Sequence, residues 1–248
     1  MNFKQIIQSK SDKSWQLYIP NLSIDCVVFG FHEGSLKILL TKMLDHNLWS
    51  LPGGYVLKTE NLIDAGQRIL FERTGAKNIY LEQFGVFGNL NRSESFFDDF
   101  DDGLWNKQRF ISIGFYALVD FTSVNLIMDD ISDGCAWHDI SQIPDLIMDH
   151  STMLDNALKT LRTQMIHKPI GLNLLPLKFT IPELQKLYEI VLGKTLNRGN
   201  FYRKMGRYDI LKKLDESRKG GAHKAPDLYQ FDTEKYHEAL KNGLSHGW

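Results

Sequence analysis

The stretch from Gly54 to Ala76 constrains this chain more than any other. It holds Gly54, five residues, Glu60, seven residues, Arg68, and then Ile69, Leu70, Phe71, Glu72, Arg73, Thr74, Gly75 and Ala76. Leu62, Ala65, Gly66 and Ile69 recur at i, i+3, i+4 and i+7, which predicts an amphipathic helix over 61–74 that ends near Gly75. Positions 69, 72 and 73 fall on neighbouring ridges of that helix. A cation held there would find one aliphatic side chain, one carboxylate and one guanidinium. At an effective dielectric near 20, a divalent ion ~4 Å from an arginine meets about 8 kcal/mol of repulsion. The alternative is that Ile69 only packs the helix and Arg73 is a solvated surface residue, with carboxylates from elsewhere supplying a metal.

This pattern resembles the Nudix box: G, five residues, E, seven residues, then R-E-U-x-E-E-x-G-U, with U a bulky aliphatic. Gly54, Glu60, Arg68, Leu70, Glu72 and Gly75 match, whereas Ile69, Arg73 and Ala76 do not. Trp49 to Tyr55 reads W-x-L-P-G-G-Y, which commonly leads into the box in Nudix proteins. The resemblance implies that glutamates at 69, 72 and 73 would gather magnesium to clamp a diphosphate and generate hydroxide. With two of the three absent, the expectation is a protein with no catalytic residue, no metal and no cofactor, and not an enzyme.

Length and composition suit a cytoplasmic protein with one large or two small domains. The chain has 248 residues, 43% hydrophobic. Its first twenty residues lack an apolar leader, and no stretch approaches the length of a membrane span. Cys26 and Cys135 sit singly in hydrophobic runs, unlike a disulfide framework or a zinc site. The net charge of -1 is unevenly divided: residues 168–248 carry 15 Lys and Arg against 9 Asp and Glu, and residues 1–167 carry 14 against 21. A tail of +6 on a body of -7 points to an anionic partner for the tail.

Strands are expected at 23–31 and 36–42, joined as a hairpin across 32–35, and then at 79–87, 110–120 and 135–138. A helix should follow, with Leu154, Ala157, Leu158, Leu161 and Met165 on its apolar face. Residues 94–103 form an acidic and aromatic insertion whose four aspartates lack EF-hand spacing; a mobile surface loop, as lid or dimer contact, is the reading adopted. Beyond Pro169 the character changes. Thr180 and Glu183 form a capping box opening a helix with Leu184, Leu187, Tyr188 and Val191 inward, up to Gly193. In a second helix Phe201, Met205 and Tyr208 share one face, opposite Asn200, Arg203 and Arg207. Residues 210–214 and 228–231 read as short strands flanking a basic glycine-rich loop, the outline of a wing.

This order is that of a winged helix-turn-helix, whose second helix enters the major groove. Arginine reads guanine and asparagine adenine. The DNA-contact candidates are Lys194, Arg198, Asn200, Arg203, Lys204 and Arg207, with Arg218, Lys219 and Lys224 in the wing. The competing reading is a helical and hairpin appendage used for dimerisation, its charges solvated.

Both halves together resemble Nudix-related transcriptional regulators, closest to the sugar-responsive, arabinose-type branch of Bacteroidetes. The shared patterns are G-G-[YF]-V-x-K-x-E at Gly53 to Glu60, R-[IV]-L-x-E-x-T-G at Arg68 to Gly75, and P-I-G-[LF]-N-L-L-P at Pro169 to Pro176. The likeness covers about residues 20–235 and implies an α+β chain. A Nudix-like α/β/α sandwich with a mixed sheet (1–167) senses a small molecule, and a winged helix (168–248) binds operator DNA. It further implies a homodimeric repressor of sugar catabolism with no membrane association. The effector is a pentose such as arabinose or xylose, or, as in the other branch, ADP-ribose. Asp25, Trp49, Lys58, Glu60, Arg73 and Arg109 are candidate effector contacts, each with a structural alternative: Trp49 as core, Glu60 paired with Arg68, Arg109 as a surface charge. The connector 169–176 is the expected lever between sensing and DNA binding. An ADP-ribose-type hydrolase and a protein-interaction adaptor are the alternatives.

Overall fold

The computed structural model describes residues 1–75, 79–218 and 225–244. Ala76, Lys219 and Lys224 lie outside the described residues. The chain forms two compact units, 1–30 with 37–157, and 31–36 with 158–248.

The first unit opens with helix α1 (Phe3–Leu17), capped by Asn2, whose side chain accepts from the Gln5 amide while the Gln5 side chain accepts from the Asn2 amide. No element is expected from sequence in this polar lead. Its buried positions are Phe3, Ile7, Ser11 and Ser14, and two of the four are serines, so hydrophobicity alone does not reveal the face. Strands β1 (Tyr18–His32) and β2 (Ser35–Met43) follow as the expected hairpin, longer than predicted. Its turn places Glu33 and Gly34 at φ 49° and 70°, the left-handed pair that a two-residue hairpin requires.

Strands β3 (Trp49–Ser50) and β4 (Gly53–Leu57) lead into α2 (Leu62–Thr74), which Gly75 ends in a left-handed conformation at φ 62°. Then come β5 (Tyr80–Phe87), β6 (Ile111–Leu118), β7 (Ser132–Asp139) and α3 (His150–His167), each within a few residues of expectation. The sheet runs β3-β2-β1-β6-β5, with β4 paired to β1 and β7 to β2. The β1–β6 pair is parallel, and β2–β3, β2–β7, β1–β4 and β5–β6 are antiparallel. This is the mixed sheet that the Nudix resemblance implies. Ile24, Cys26 and Val28 of β1 pack with Ile69 and Leu70 of α2 and with Phe115 of β6. Burying a side chain of this size stabilises by about 1.5–3 kcal/mol, so Ile69 anchors the helix to the sheet.

In the second unit, α4 (Ile181–Leu192) carries the expected capping box: Glu183 accepts from the Thr180 amide at 2.7 Å, and Thr180 accepts from the Glu183 amide at 3.4 Å. Helix α5 (Arg198–Tyr208) is capped by Asn197 and buries Phe201, Met205 and Tyr208. Strands β8 (Leu211–Ser217) and β9 (Asp227–Phe231) pair as a hairpin, and α6 (Thr233–Asn242), which the sequence analysis missed, closes the unit. Tyr236 of α6 holds the connector: its hydroxyl donates to the Pro169 carbonyl at 3.0 Å and accepts from the Leu172 amide at 3.3 Å. Pro169, Ile170, Leu174 and Leu175 are the connector's buried side chains, and Leu172 is only half-buried. Gly171 is required there, because φ is 145° and a Cβ would lie 3.0 Å from Phe231 Cζ.

Candidate functional site

The first unit contains a cavity of about 310 Å³, within the size range of small-molecule sites. Helix α1 contributes Phe3, Ile7 and Lys10, β1 contributes Asp25, and α2 contributes Ile69, Glu72 and Arg73. The acidic and aromatic insertion supplies Phe97. Six of its ten residues are exposed, as in a surface loop, but its 3-10 helix Glu94–Phe97 packs toward α1 with Phe97 buried. Just beyond it, Leu104 and the first residue of the 3-10 helix Trp105–Lys107 are buried against α1. Phe3 meets the rings of Phe96 and Phe100 edge-on, and the Trp105 amide donates to Ser11 Oγ at 2.9 Å.

A polar corner sits at one end. Ile24 and Cys26 face the α2 core, so strand alternation sends Asp25 to the other face. Asp25 Oδ2 accepts from Ser112 Oγ at 2.5 Å. Arg92, its side chain 3% exposed, forks onto Asp149 at 2.6 and 2.8 Å, and its Nη2 stands 3.7 Å from Asp25 Oδ2. His150 Nδ1 accepts the Leu51 amide at 3.0 Å, which puts the ring proton on Nε2, 3.7 Å from Asp25 Oδ1. Burial pushes the His150 pKa down, offset in part by Asp25 and Asp149, so the ring is a neutral donor. Tyr55 and Phe110 stand beside this corner with ring centroids 5.3 Å apart, and Asn106 donates to the Tyr55 hydroxyl at 2.7 Å.

The box itself is held by ion pairs. Arg68 bonds Glu60 at 2.7 and 3.0 Å and the Tyr55 carbonyl at 2.8 Å, while Glu60 also accepts the Leu57 amide. Arg68 holds the Glu60 carboxyl below the usual carboxylate range. Arg73 Nη2 lies 2.6 Å from Asp129, and Glu72 faces Arg68 at 3.3 Å. These residues do not fit a divalent cation. Ile69 is apolar, Arg73 brings its own positive charge, and no group of three His, Cys, Asp or Glu could hold a metal among the described residues.

Of the six effector contacts expected from sequence, the structure brings two, Asp25 and Arg73, to the cavity. Glu60 is a structural partner of Arg68. Lys58 is exposed and donates to the Trp15 carbonyl, Trp49 packs edge-on against His138, and Arg109 is exposed and donates to the Gly88 carbonyl. Arg92 and His150 were missed. They come from a loop and a helix start, where periodicity carries no signal.

In the second unit, Asn200, Arg203 and Arg207 are exposed along the outer face of α5, and Arg203 donates to Asn200 Oδ1 at 2.5 Å. Lys194 and Arg198 are exposed at the start of this region. Burial and then Lys194 push the Lys204 pKa down. Arg218 pairs with Glu183 at 2.5 Å, so this wing residue is tied to α4.

A Nudix-type domain with a ligand-sized cavity, followed by a winged helix with a basic outer face, defines a DNA-binding transcriptional regulator. Two family descriptions match the chain, the NUDIX domain at residues 20–157 and the NrtR DNA-binding winged helix domain at 171–231. The ADPR responsive transcriptional repressor NtrR of Acinetobacter baylyi is 30% identical over 224 residues, 88% of this chain and 84% of that protein. Shewanella oneidensis NrtR superposes with a TM-score of 0.73 at 26% identity, covering 92% of this chain and all of that one; its complex with a 27mer DNA matches equally well. The chain therefore belongs to the NUDIX family, among its NrtR-type transcriptional regulators. These relatives include no sugar-responsive protein, so the expected arabinose-type branch is not supported.

Proposed function

We propose that this chain is a transcriptional repressor, with no hydrolase activity, that releases its operator when a small ribosyl-bearing molecule enters the cavity of its first unit. The observation that carries the DNA reading is α5: its inner face is apolar and buried, while Asn200, Arg203 and Arg207 line the outer one. Asn200, Arg203 and Arg207 read base edges, and Lys194, Arg198 and Lys204 engage phosphates, as do Lys219 and Lys224, which lie outside the described residues. A symmetric dimer would present two such helices to half-sites about one helical turn apart.

The effector reading rests on the A. baylyi repressor, whose name states a response to ADPR. A free pentose is a second reading, favoured by charge: each arginine lining the cavity, Arg68, Arg73 and Arg92, already faces a carboxylate. A diphosphate needs cations to spare, whereas a neutral sugar does not. Either ligand shifts DNA binding only by its differential affinity for the two states.

Fluorescence anisotropy on DNA from upstream of the chain's own gene, with and without ADP-ribose, arabinose and xylose, tests the reading. Tight, salt-sensitive binding released by one compound supports it. Equal affinity for random DNA in every condition, or magnesium-dependent turnover of ADP-ribose, overturns it.

A further inference from the structure

We propose that Asp25, Arg92 and His150 read two adjacent hydroxyls of a five-carbon sugar ring, an inference that rests on the cavity being the effector site. Asp25 is a carboxylate with a donor on each side. Arg92 Nη2 donates to Asp149 Oδ1 at 2.6 Å and reaches Met153 Sδ at 3.5 Å, so that a hydroxyl would compete only with the long sulfur contact. This Nη2 faces Asp25 Oδ2, and His150 Nε2 faces Oδ1, both at 3.7 Å. That separation is too long for a hydrogen bond. It is, however, one that a single oxygen can bridge, donating to the carboxylate and accepting from the nitrogen. Two such bridges on the two oxygens of one carboxylate match neighbouring hydroxyls on a ring. A hydroxyl both donates and accepts, and that is what each gap demands.

The surroundings hold the three groups in place. Asp149 forks onto Arg92, the Leu51 amide fixes the His150 tautomer, and Ser112 orients Asp25. Gly53 lies directly over Asp25, where a Cβ would meet Oδ1 at 2.5 Å. Tyr55, Phe97 and Phe110 line the same cavity and offer rings to the carbon face of a sugar. A phosphate would instead face the Asp25 carboxylate. The shared chemistry, a vicinal diol, comes either from a free pentose or from the terminal ribose of ADP-ribose.

Calorimetry on the full chain without DNA separates these sources. The titrants are D-ribose, L-arabinose, D-xylose, ADP-ribose and inorganic pyrophosphate. Binding of a pentose identifies the free sugar as the source, and binding of ADP-ribose alone identifies the ribosyl end. Any two adjacent hydroxyls among carbons 1 to 4 of a pentose include carbon 2 or 3. At least one of the 2-deoxy and 3-deoxy forms of a bound pentose should therefore bind tenfold or more weakly, a comparison that needs no protein variant. An Asp25→Asn protein with a cooperative unfolding transition should lose affinity for pentose or ADP-ribose by at least tenfold. Binding of pyrophosphate as tight as ADP-ribose, deoxy forms as tight as their parent, unchanged affinity in Asp25→Asn, or no binding of any sugar-bearing titrant would each overturn the diol reading. DNA binding, measured separately by anisotropy, would stand or fall on its own.

Discussion

Arg73 Nη2 stands 2.6 Å from Asp129 Oδ2, with the two side chains 17% and 24% exposed. The guanidinium is thus a second cation of the box beside Arg68, and Asp129 is its counter-charge. Asp129 Oδ1 is buried without a hydrogen-bond partner among the described residues, so this carboxylate depends on Arg73. Arg73→Ala strands it and should cost about 1–3 kcal/mol in urea unfolding. Adding Asp129→Asn should recover part of that loss, because the charge left behind is removed. A single variant as stable as the parent would show the pair to be idle.

The same pair predicts how the parent and a rebuilt box respond to magnesium. Ile69→Glu with Arg73→Glu places two carboxylates beside Glu72, a donor set that suits magnesium. Ile69 is 2% exposed and its side chain abuts Gly54, so the double variant should be less stable than the parent without metal. Millimolar magnesium should raise its melting temperature and leave the parent's unchanged. Equal responses would refute the account in which Ile69 and Arg73 keep a divalent cation out of the parent's box.

Glu60 and Arg68 set an acid limit. Arg68 depresses the Glu60 pKa in the folded state, so the unfolded chain binds the proton more readily. The stabilisation is fully present above the unfolded value of about 4.3 and is lost as pH falls through the folded value. Glu60→Gln should therefore destabilise at pH 7 and matter much less at the acid end. A variant whose deficit is the same at every pH would contradict this.

How much of this was legible depends on where each residue sits. The helix of the box was readable because Leu62, Ala65, Gly66 and Ile69 repeat with helical period and Gly75 ends it. Thr180 with Glu183 marked α4, and the alternation of apolar and basic positions marked α5. Helix α1 was hidden because serines fill half of its buried face, and α6 because Tyr236 is its one buried residue. Of the polar corner Asp25 was expected, but its meeting with Arg92 and His150 was hidden for another reason. Asp25, Arg92 and His150 lie far apart in sequence and meet only through the pairing of the sheet and the start of α3, and a lone charge in a loop has no period to betray it.

On α5, Arg203 and Lys204 should behave differently, and that difference tests the division between base readers and phosphate contacts. Arg203→Ala should cost about 1–3 kcal/mol on the cognate site and relax preference at one base position. Lys204→Met should weaken cognate and random DNA alike and reduce the salt slope by about one. Lys204 carries a further signature. Burial and then Lys194 lower its pKa in the free protein, and a phosphate beside it would raise that value again. DNA binding should therefore take up a proton at alkaline pH, and affinity should fall as pH rises through the free-state value. Anisotropy titrations across alkaline pH should show this decline in the parent and a flatter profile in Lys204→Met. Identical pH profiles would place Lys204 away from the phosphate backbone.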